Sequence, residues 1–188
     1  IADVARQLAM AVGSAHILSR IGGDEFIVVL TNVGRQAFIQ AYAQRLINLF
    51  NTPFSCEGHQ YYLSASIGIA FFPKDGTSLD DLLRRADTAL HVAKETGRSA
   101  YRFFEQSMQD SVQEKIALEN RLRAAVHDKE QFHMRYQPQV DARTGQLVGM
   151  EALMRWCCPE RGNISPMQFI PVAEETGLIN DLGDWGLR

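Results

Sequence analysis

The sequence predicts an α/β chain of the α+β kind, followed by the opening of a second domain. Three observations carry this. Short apolar runs come in pairs around glycine turns and are interleaved with amphipathic helical stretches up to about residue 105. A long polar stretch with helical spacing follows, from Glu105 to about Asp128. Alternating apolar and polar residues then begin afresh at Phe132. The expected partition is 1–105, a linker helix over 106–128, and a second domain starting at 129–188.

Each element has a local reason. Val4, Leu8, Ala11 and Val12 recur at helical spacing within Ala2–Val12. Ala15–Ile21 reads as a strand, Gly22-Gly23-Asp24 as a turn, and the continuous apolar run Phe26–Leu30 as a buried strand, together a β-hairpin with a glycine tip. Gln36–Phe50 offers Phe38, Ile39, Tyr42, Leu46 and Ile47 to a core, and Pro53 ends it. Phe54–Cys56, a Glu57-Gly58 turn and Tyr61–Phe72 suggest another strand pair, with Gly68 marking a close backbone approach. Ser78 is the expected N-cap of a helix reaching Glu95, favoured by Asp80 and Asp81 and stopped at Gly97. Ala100–Phe104 is a short last strand. Phe132–Val140 and Leu147–Trp156 form a second hairpin around Asp141–Gly145. Pro166 opens a helix that Gly177 breaks.

Bulk properties narrow the function classes. The 188 residues are 46% hydrophobic and 22% charged, with net charge −3, an ordinary globular balance that gives no reason to expect a nucleic-acid polymer as partner. Cys56, Cys157 and Cys158, odd in number and two of them adjacent, do not read as a disulfide framework, so reducing cytoplasm is the simpler reading. No apolar run approaches the ~20 residues of a membrane span, and no signal peptide is visible. Both ends read as cut rather than natural, so any membrane contact is expected only through parts of a longer parent.

The segment Arg20-Ile21-Gly22-Gly23-Asp24-Glu25-Phe26 carries the first chemistry. Glycines at a hairpin tip leave no side chain in the way of a phosphate, and two adjacent carboxylates suit Mg²⁺, which prefers oxygen ligands. By itself such a segment reads more readily as a hairpin with a glycine turn and two solvated acids. With Ser66-Ile67-Gly68-Ile69-Ala70, the run Ala86-Asp87-Thr88-Ala89-Leu90-His91-Val92-Ala93-Lys94-Glu95-Thr96-Gly97-Arg98-Ser99, and Tyr101-Arg102-Phe103-Phe104, it resembles the GGDEF family, which contains the diguanylate cyclases. The resemblance covers residues 1 to about 105. It implies a nucleotide-cyclase-like sheet with helices, and Mg²⁺ or Mn²⁺ as cofactor. Asp24 and Glu25 would be the metal and catalytic carboxylates, and Gly22, Gly23, Lys94 and Arg98 would bind GTP. Lys94 and Arg98, four apart at a helix end, also read as two solvated cations suited to the helix dipole. The family's opening strand and helix, with a further metal-binding Asp and the guanine-reading Asn and Asp, have no counterpart here. Gly13-Ser14-Ala15-His16 stands where product-inhibited members carry Arg-x-x-Asp, so that inhibition is expected to be absent. His91 replaces the family's usual Tyr, and is expected to be a packing residue.

A second resemblance, to the start of an EAL (phosphodiesterase) domain, runs through Tyr136-Gln137-Pro138-Gln139-Val140, Gly149-Met150-Glu151-Ala152-Leu153-Met154-Arg155-Trp156, Ile164-Ser165-Pro166, Phe169-Ile170-Pro171-Val172-Ala173-Glu174-Glu175 and Gly177-Leu178-Ile179. It implies the first elements of a TIM-like barrel, with Glu151 as a metal ligand. It also implies Gln137, Glu151, Leu153, Arg155 and Pro166 as contacts of cyclic-di-GMP. Further metal ligands and the general-base Lys are expected beyond Arg188. Trp156, Phe169 and Trp185 are expected to be core residues. The functional expectation is cyclic-di-GMP turnover by the parent: synthesis from two GTP, hydrolysis, or both, with a homodimer for synthesis. The alternative is a catalytically silent GTP or cyclic-di-GMP sensor. The 188-residue piece alone is expected to turn over neither substrate, and its open sheet edge to be adhesive.

Overall fold

The computed structural model describes residues 1–56, 58–97 and 99–187. Their contacts divide the chain into two units, Ile1–Gln109 and Asp110–Arg188. Among the described residues, no helix is long and apolar enough to cross a membrane.

In the first unit, α1 (Ala2–Val12) turns Val4, Leu8 and Val12 inward, the four-residue recurrence of one helix face. They meet Tyr42 and Leu46 of α2 (Gln36–Asn48) and Phe54, with Leu18, Phe26 and Val28 at the margin. The Tyr42 hydroxyl donates to the Val12 carbonyl at 3.1 Å, which satisfies a carbonyl left free at the end of α1. Strands β1 (Ile17–Gly22) and β2 (Glu25–Val29) pair antiparallel, with Arg20 opposite Phe26 and Gly22 opposite Glu25. The expected hairpin is present. Its second strand is half-buried rather than buried, because only Phe26, Ile27 and Val28 are sheltered while Val29 is 42% exposed.

The expected strand over Tyr61–Phe72 is not one strand. Strand β3 (Phe54–Cys56) pairs with β4 (His59–Tyr61), and residues 62–66 are irregular. Glu57 of the expected turn lies outside the described residues. Strand β5 (Ile67–Ile69) then pairs in parallel with β6 (Tyr101–Phe103), and α3 (Leu79–Glu95) makes the crossover between them. The first unit is thus not purely antiparallel, since a helix between two strands returns the chain in the same direction. Ser78 caps α3, its hydroxyl accepting from the Asp81 amide at 3.1 Å. Gly97 follows the last turn with φ +120°. At Gly68 an added Cβ would collide with the Ala86 carbonyl and come within 2.9 Å of the Leu90 Cβ, so β5 lies directly against the α3 backbone.

In the second unit, α4 (Gln106–His127) contributes Leu118, Leu122, Ala125 and Val126 to a core shared with Phe132, Trp156, Phe169 and Leu182. Strands β7 (Phe132–Val140), β8 (Leu147–Cys158) and the short β9 (Gly162–Ile164) form an antiparallel sheet in that order. Asp141 builds the β7–β8 turn: its Oδ1 accepts from the Arg143 and Thr144 amides, both at 2.8 Å. Those donors hold its carboxyl below the ordinary carboxylate value. Helix α5 (Pro166–Thr176) starts on Pro166 and ends at Gly177 in the left-handed region, φ +77°. Helix α6 (Ile179–Gly186) closes over the core through Leu182. Trp156 and Phe169 are fully buried and meet edge to face at 5.7 Å, while Trp185 packs against Phe132 at 5.9 Å.

Candidate functional site

Each unit carries its own cluster. In the first, Gly23 and Asp24 form the tip between β1 and β2, flanked by the Gly22–Glu25 pair. Gly23 takes φ +52°, a conformation that costs a side-chain-bearing residue roughly 1–2 kcal/mol. The Arg20 guanidinium donates twice to the Gly23 carbonyl, at 3.1 and 2.6 Å, and pins the tip from the strand side. An added Cβ at Gly22 or Gly23 would meet nothing within 4 Å. Asp24 and Glu25 are both exposed. The tip is therefore open on its outer side and presents two carboxylates next to unobstructed backbone.

Lys94 is exposed near the end of α3, whose contacts are with β5 and β6. No hydrogen bond or ion pair among the described residues joins it to the tip. Arg98 lies outside the described residues. The expectation that His91 packs is overturned. Its side chain is 61% exposed, with Nδ1 3.7 Å from the Glu95 carboxylate one turn on. Ala89 and Ala93 instead form the fully buried face of α3.

In the second unit the strand register assembles the cluster. Gln137 faces Glu151, Arg135 faces Leu153 and His133 faces Arg155. Directly opposed residues share a sheet face, and successive residues alternate. Gln137, Glu151, Leu153 and Arg155 therefore stand on one face. The other face carries Phe132 and Trp156 into the core. At the Arg155 end this face borders a cleft of about 270 Å³, lined by His133, Arg135, Arg155, Asn163, Ile164, Ser165 and Pro166. Arg155 and Pro166 were expected there. His133, Arg135, Asn163 and Ser165 were not, although stepping back by two from Gln137 passes through Arg135 and His133 on the same face. One Arg155 nitrogen donates to the Met154 carbonyl at 2.9 Å, which leaves the rest of its fork for a ligand.

The donors suit a hard divalent cation in kind, since all are carboxylates. Asp24 and Glu25 offer two at the tip and Glu151 offers one on the sheet. Among the described residues, no three potential metal ligands stand together.

Comparison with known proteins agrees with this division. Residues 1–100 match the model of the diguanylate cyclase GGDEF domain, and residues 119–188 match that of the EAL domain. An uncharacterized signaling protein of Caulobacter vibrioides is 44% identical over 187 residues, covering 99% of this chain and 23% of its own length. The bifunctional diguanylate cyclase/cyclic di-GMP phosphodiesterase MucR of Pseudomonas aeruginosa is 40% identical over 98% of this chain and 27% of its own. The cyclic di-GMP phosphodiesterase PdeR of Escherichia coli is 39% identical, over 97% and 27%. The chain thus spans about a quarter of the length of these relatives. Among solved structures, an EAL/GGDEF domain protein from M. capsulatus superposes with a TM-score of 0.51 at 36% identity, covering 54% of this chain and 66% of the other. Two family models matched in succession, on units that the fold separates, make the chain a member of the diguanylate cyclase GGDEF-domain family that continues into an EAL domain.

Proposed function

We propose that the protein containing this chain turns over cyclic-di-GMP, its first unit taking part in synthesis from two GTP and its second in hydrolysis. The observation that carries the reading is the β7–β8 register, which puts Gln137, Glu151, Leu153 and Arg155 on one polar face beside an open cleft.

In synthesis, a ribose 3′-hydroxyl attacks the α-phosphorus of a second GTP and pyrophosphate leaves in line. The protein contributes mainly position and charge complementarity. Gly22 and Gly23 leave the tip backbone open to the phosphates. Glu25 accepts the hydroxyl proton, and Asp24 beside it holds the cation, Mg²⁺ or Mn²⁺. Lys94 and Arg98 counter the phosphate charge. Each such domain holds one GTP and the product is two-fold symmetric, so synthesis requires a homodimer. In hydrolysis, Arg155 grips a phosphate through charge-assisted hydrogen bonds. Gln137, Leu153 and Pro166 orient the nucleotide, and Glu151 is the cation ligand. A bound divalent cation supplies charge neutralisation and an activated water.

The test uses the full-length protein with Mg²⁺, given GTP or cyclic-di-GMP, with nucleotides separated by chromatography. Cyclic-di-GMP should form from GTP and cease to form in Glu25→Ala. Linear dinucleotide should form from cyclic-di-GMP and cease in Glu151→Ala. Turnover that survives both substitutions would sink the assignment, and no conversion by the wild type would favour a nucleotide sensor.

A further inference from the structure

The cleft beside Arg155 holds more positive charge than a diester phosphate asks for. Two guanidinium groups, Arg135 and Arg155, line it together with the His133 imidazole, the Asn163 amide and the Ser165 hydroxyl. Among the described residues neither arginine is paired with a carboxylate. The other arginines of this unit that line or flank helix α4 behave differently: Arg121 and Arg161 are matched to Glu160 and Glu114 at 2.9 and 2.6 Å. Arg135 and Arg155, by contrast, share a concavity whose lining holds no carboxylate.

Their placement is fixed by the sheet. Arg135 and Arg155 stand one register step apart on the same face, across β7 and β8. Diagonal neighbours of this kind are ~7–8 Å apart at the backbone, within reach of converging long side chains. Two like charges held this way repel each other until an anion sits between them. Ser165 adds a donor. It is the N-cap residue of α5, yet its hydroxyl makes no hydrogen bond to the helix, so it can turn towards the cleft.

We infer that this cleft is a phosphomonoester site, with Arg135 acting beside Arg155 and with His133 and Ser165 as further donors. A phosphodiester carries one negative charge, whereas a terminal phosphate carries about 1.5–2 at neutral pH and offers three acceptor oxygens. Two guanidinium forks, with the imidazole and hydroxyl donors beside them, match the terminal group in both charge and hydrogen-bond number. The identity of the ligand rests on the function proposed above. Hydrolysis of cyclic-di-GMP opens the ring and leaves one 5′-phosphate, so the group the cleft fits is present in the product and absent from the substrate. The cleft therefore retains product, and product release competes with new substrate.

The test is calorimetric titration of the full-length protein in metal-free buffer, where hydrolysis is blocked. The ligands are linear diguanylate with its 5′-phosphate, the same dinucleotide without it, and cyclic-di-GMP. The 5′-phosphate should tighten binding roughly 10- to 100-fold, the range of a charge-assisted bidentate contact. That increment should vanish in Arg135→Ala and return in part in Arg135→Lys, while affinity for the unphosphorylated dinucleotide falls by much less than the increment. Equal binding of the two linear forms by the wild type overturns the inference, and so does an increment that persists in Arg135→Ala. If the alanine variant fails to fold, the wild-type increment and the lysine variant decide the matter. A wild type that shows the increment but does not hydrolyse cyclic-di-GMP keeps this site and removes the phosphodiesterase assignment alone.

Discussion

Gly68 offers a sharp test of how the first unit is held together. In Gly68→Ala the new methyl would overlap the Ala86 carbonyl and sit 2.5 Å from the Leu90 amide nitrogen. Both obstacles are helix backbone, so no rotamer change relieves them. Ordinary contact begins near 3.4 Å, so β5 and α3 must part by well over an ångström to clear the Ala86 carbonyl. A gap of about 0.5–1 Å already forfeits a quarter to a half of each contact's dispersion energy, and this one is wider. It falls on the seam where Ala89 and Ala93 are fully buried. Overpacking of this kind costs about 1–3 kcal/mol, and the immobility of backbone puts the expectation at the upper end. With a urea slope of roughly 1–3 kcal/mol/M for a domain of this size, the midpoint should fall by about 1–3 M. Both tryptophans, Trp156 and Trp185, belong to the second unit, so their fluorescence reports that unit. Far-ultraviolet circular dichroism should show an earlier transition that the tryptophan signal does not follow. An unchanged dichroism midpoint would refute the claim that β5 rests directly on the α3 backbone.

Trp156→Ala should cost about 3–5 kcal/mol, because it empties the centre of the stack with Phe132 and Phe169; urea unfolding followed by Trp185 fluorescence checks this. Trp156→Phe should lose less, about 1–2 kcal/mol, chiefly the 3.1 Å hydrogen bond to Gln131. Asp141 is held ionised by two amides, so its folded-state value lies below its ordinary 3.8. The stabilisation it gives is therefore complete above the ordinary value and is lost as pH falls through the lowered one. Melting temperature measured into the acid range should show this loss in the wild type and a weaker one in Asp141→Asn.

What the sequence discloses is largely what local chemistry decides. The tip at Gly22-Gly23-Asp24, the Ser78 cap, the Pro166 start and the Gly177 stop each depend on a few adjacent residues, and each stands where it was expected. The fracture of Tyr61–Phe72 was hidden because β5 is defined by a partner on the far side of α3, and Ile67 pairs with Tyr101 rather than with a neighbour. The exposure of His91 was hidden for a related reason: which stripe of α3 faces inward is set by the strands beneath it. Helix α6 was masked by Gly183 and Gly186, poor helix formers that tertiary packing overrides. In the second cluster, family likeness pointed to Gln137, Glu151, Leu153 and Arg155. Their common face required the register, and so did the arrival of His133 and Arg135 beside them.

The two-sidedness of the β7–β8 hairpin sets a rule for length changes in this region. Its core face and its ligand face are offset by one residue, so deleting or inserting one residue inside either strand would swap them. A change in β7 would turn Arg135 into the apolar interior, and one in β8 would do the same to Glu151 and Arg155, while Phe132 or Trp156 turned to water. Stability and ligand recognition would fail together, whatever residue was removed. The Asp141–Gln146 connection is free of this constraint, because its residues serve only to reverse the chain. Variation in length should therefore collect in that turn, where a reporter peptide or an affinity tag can be carried without disturbing either face.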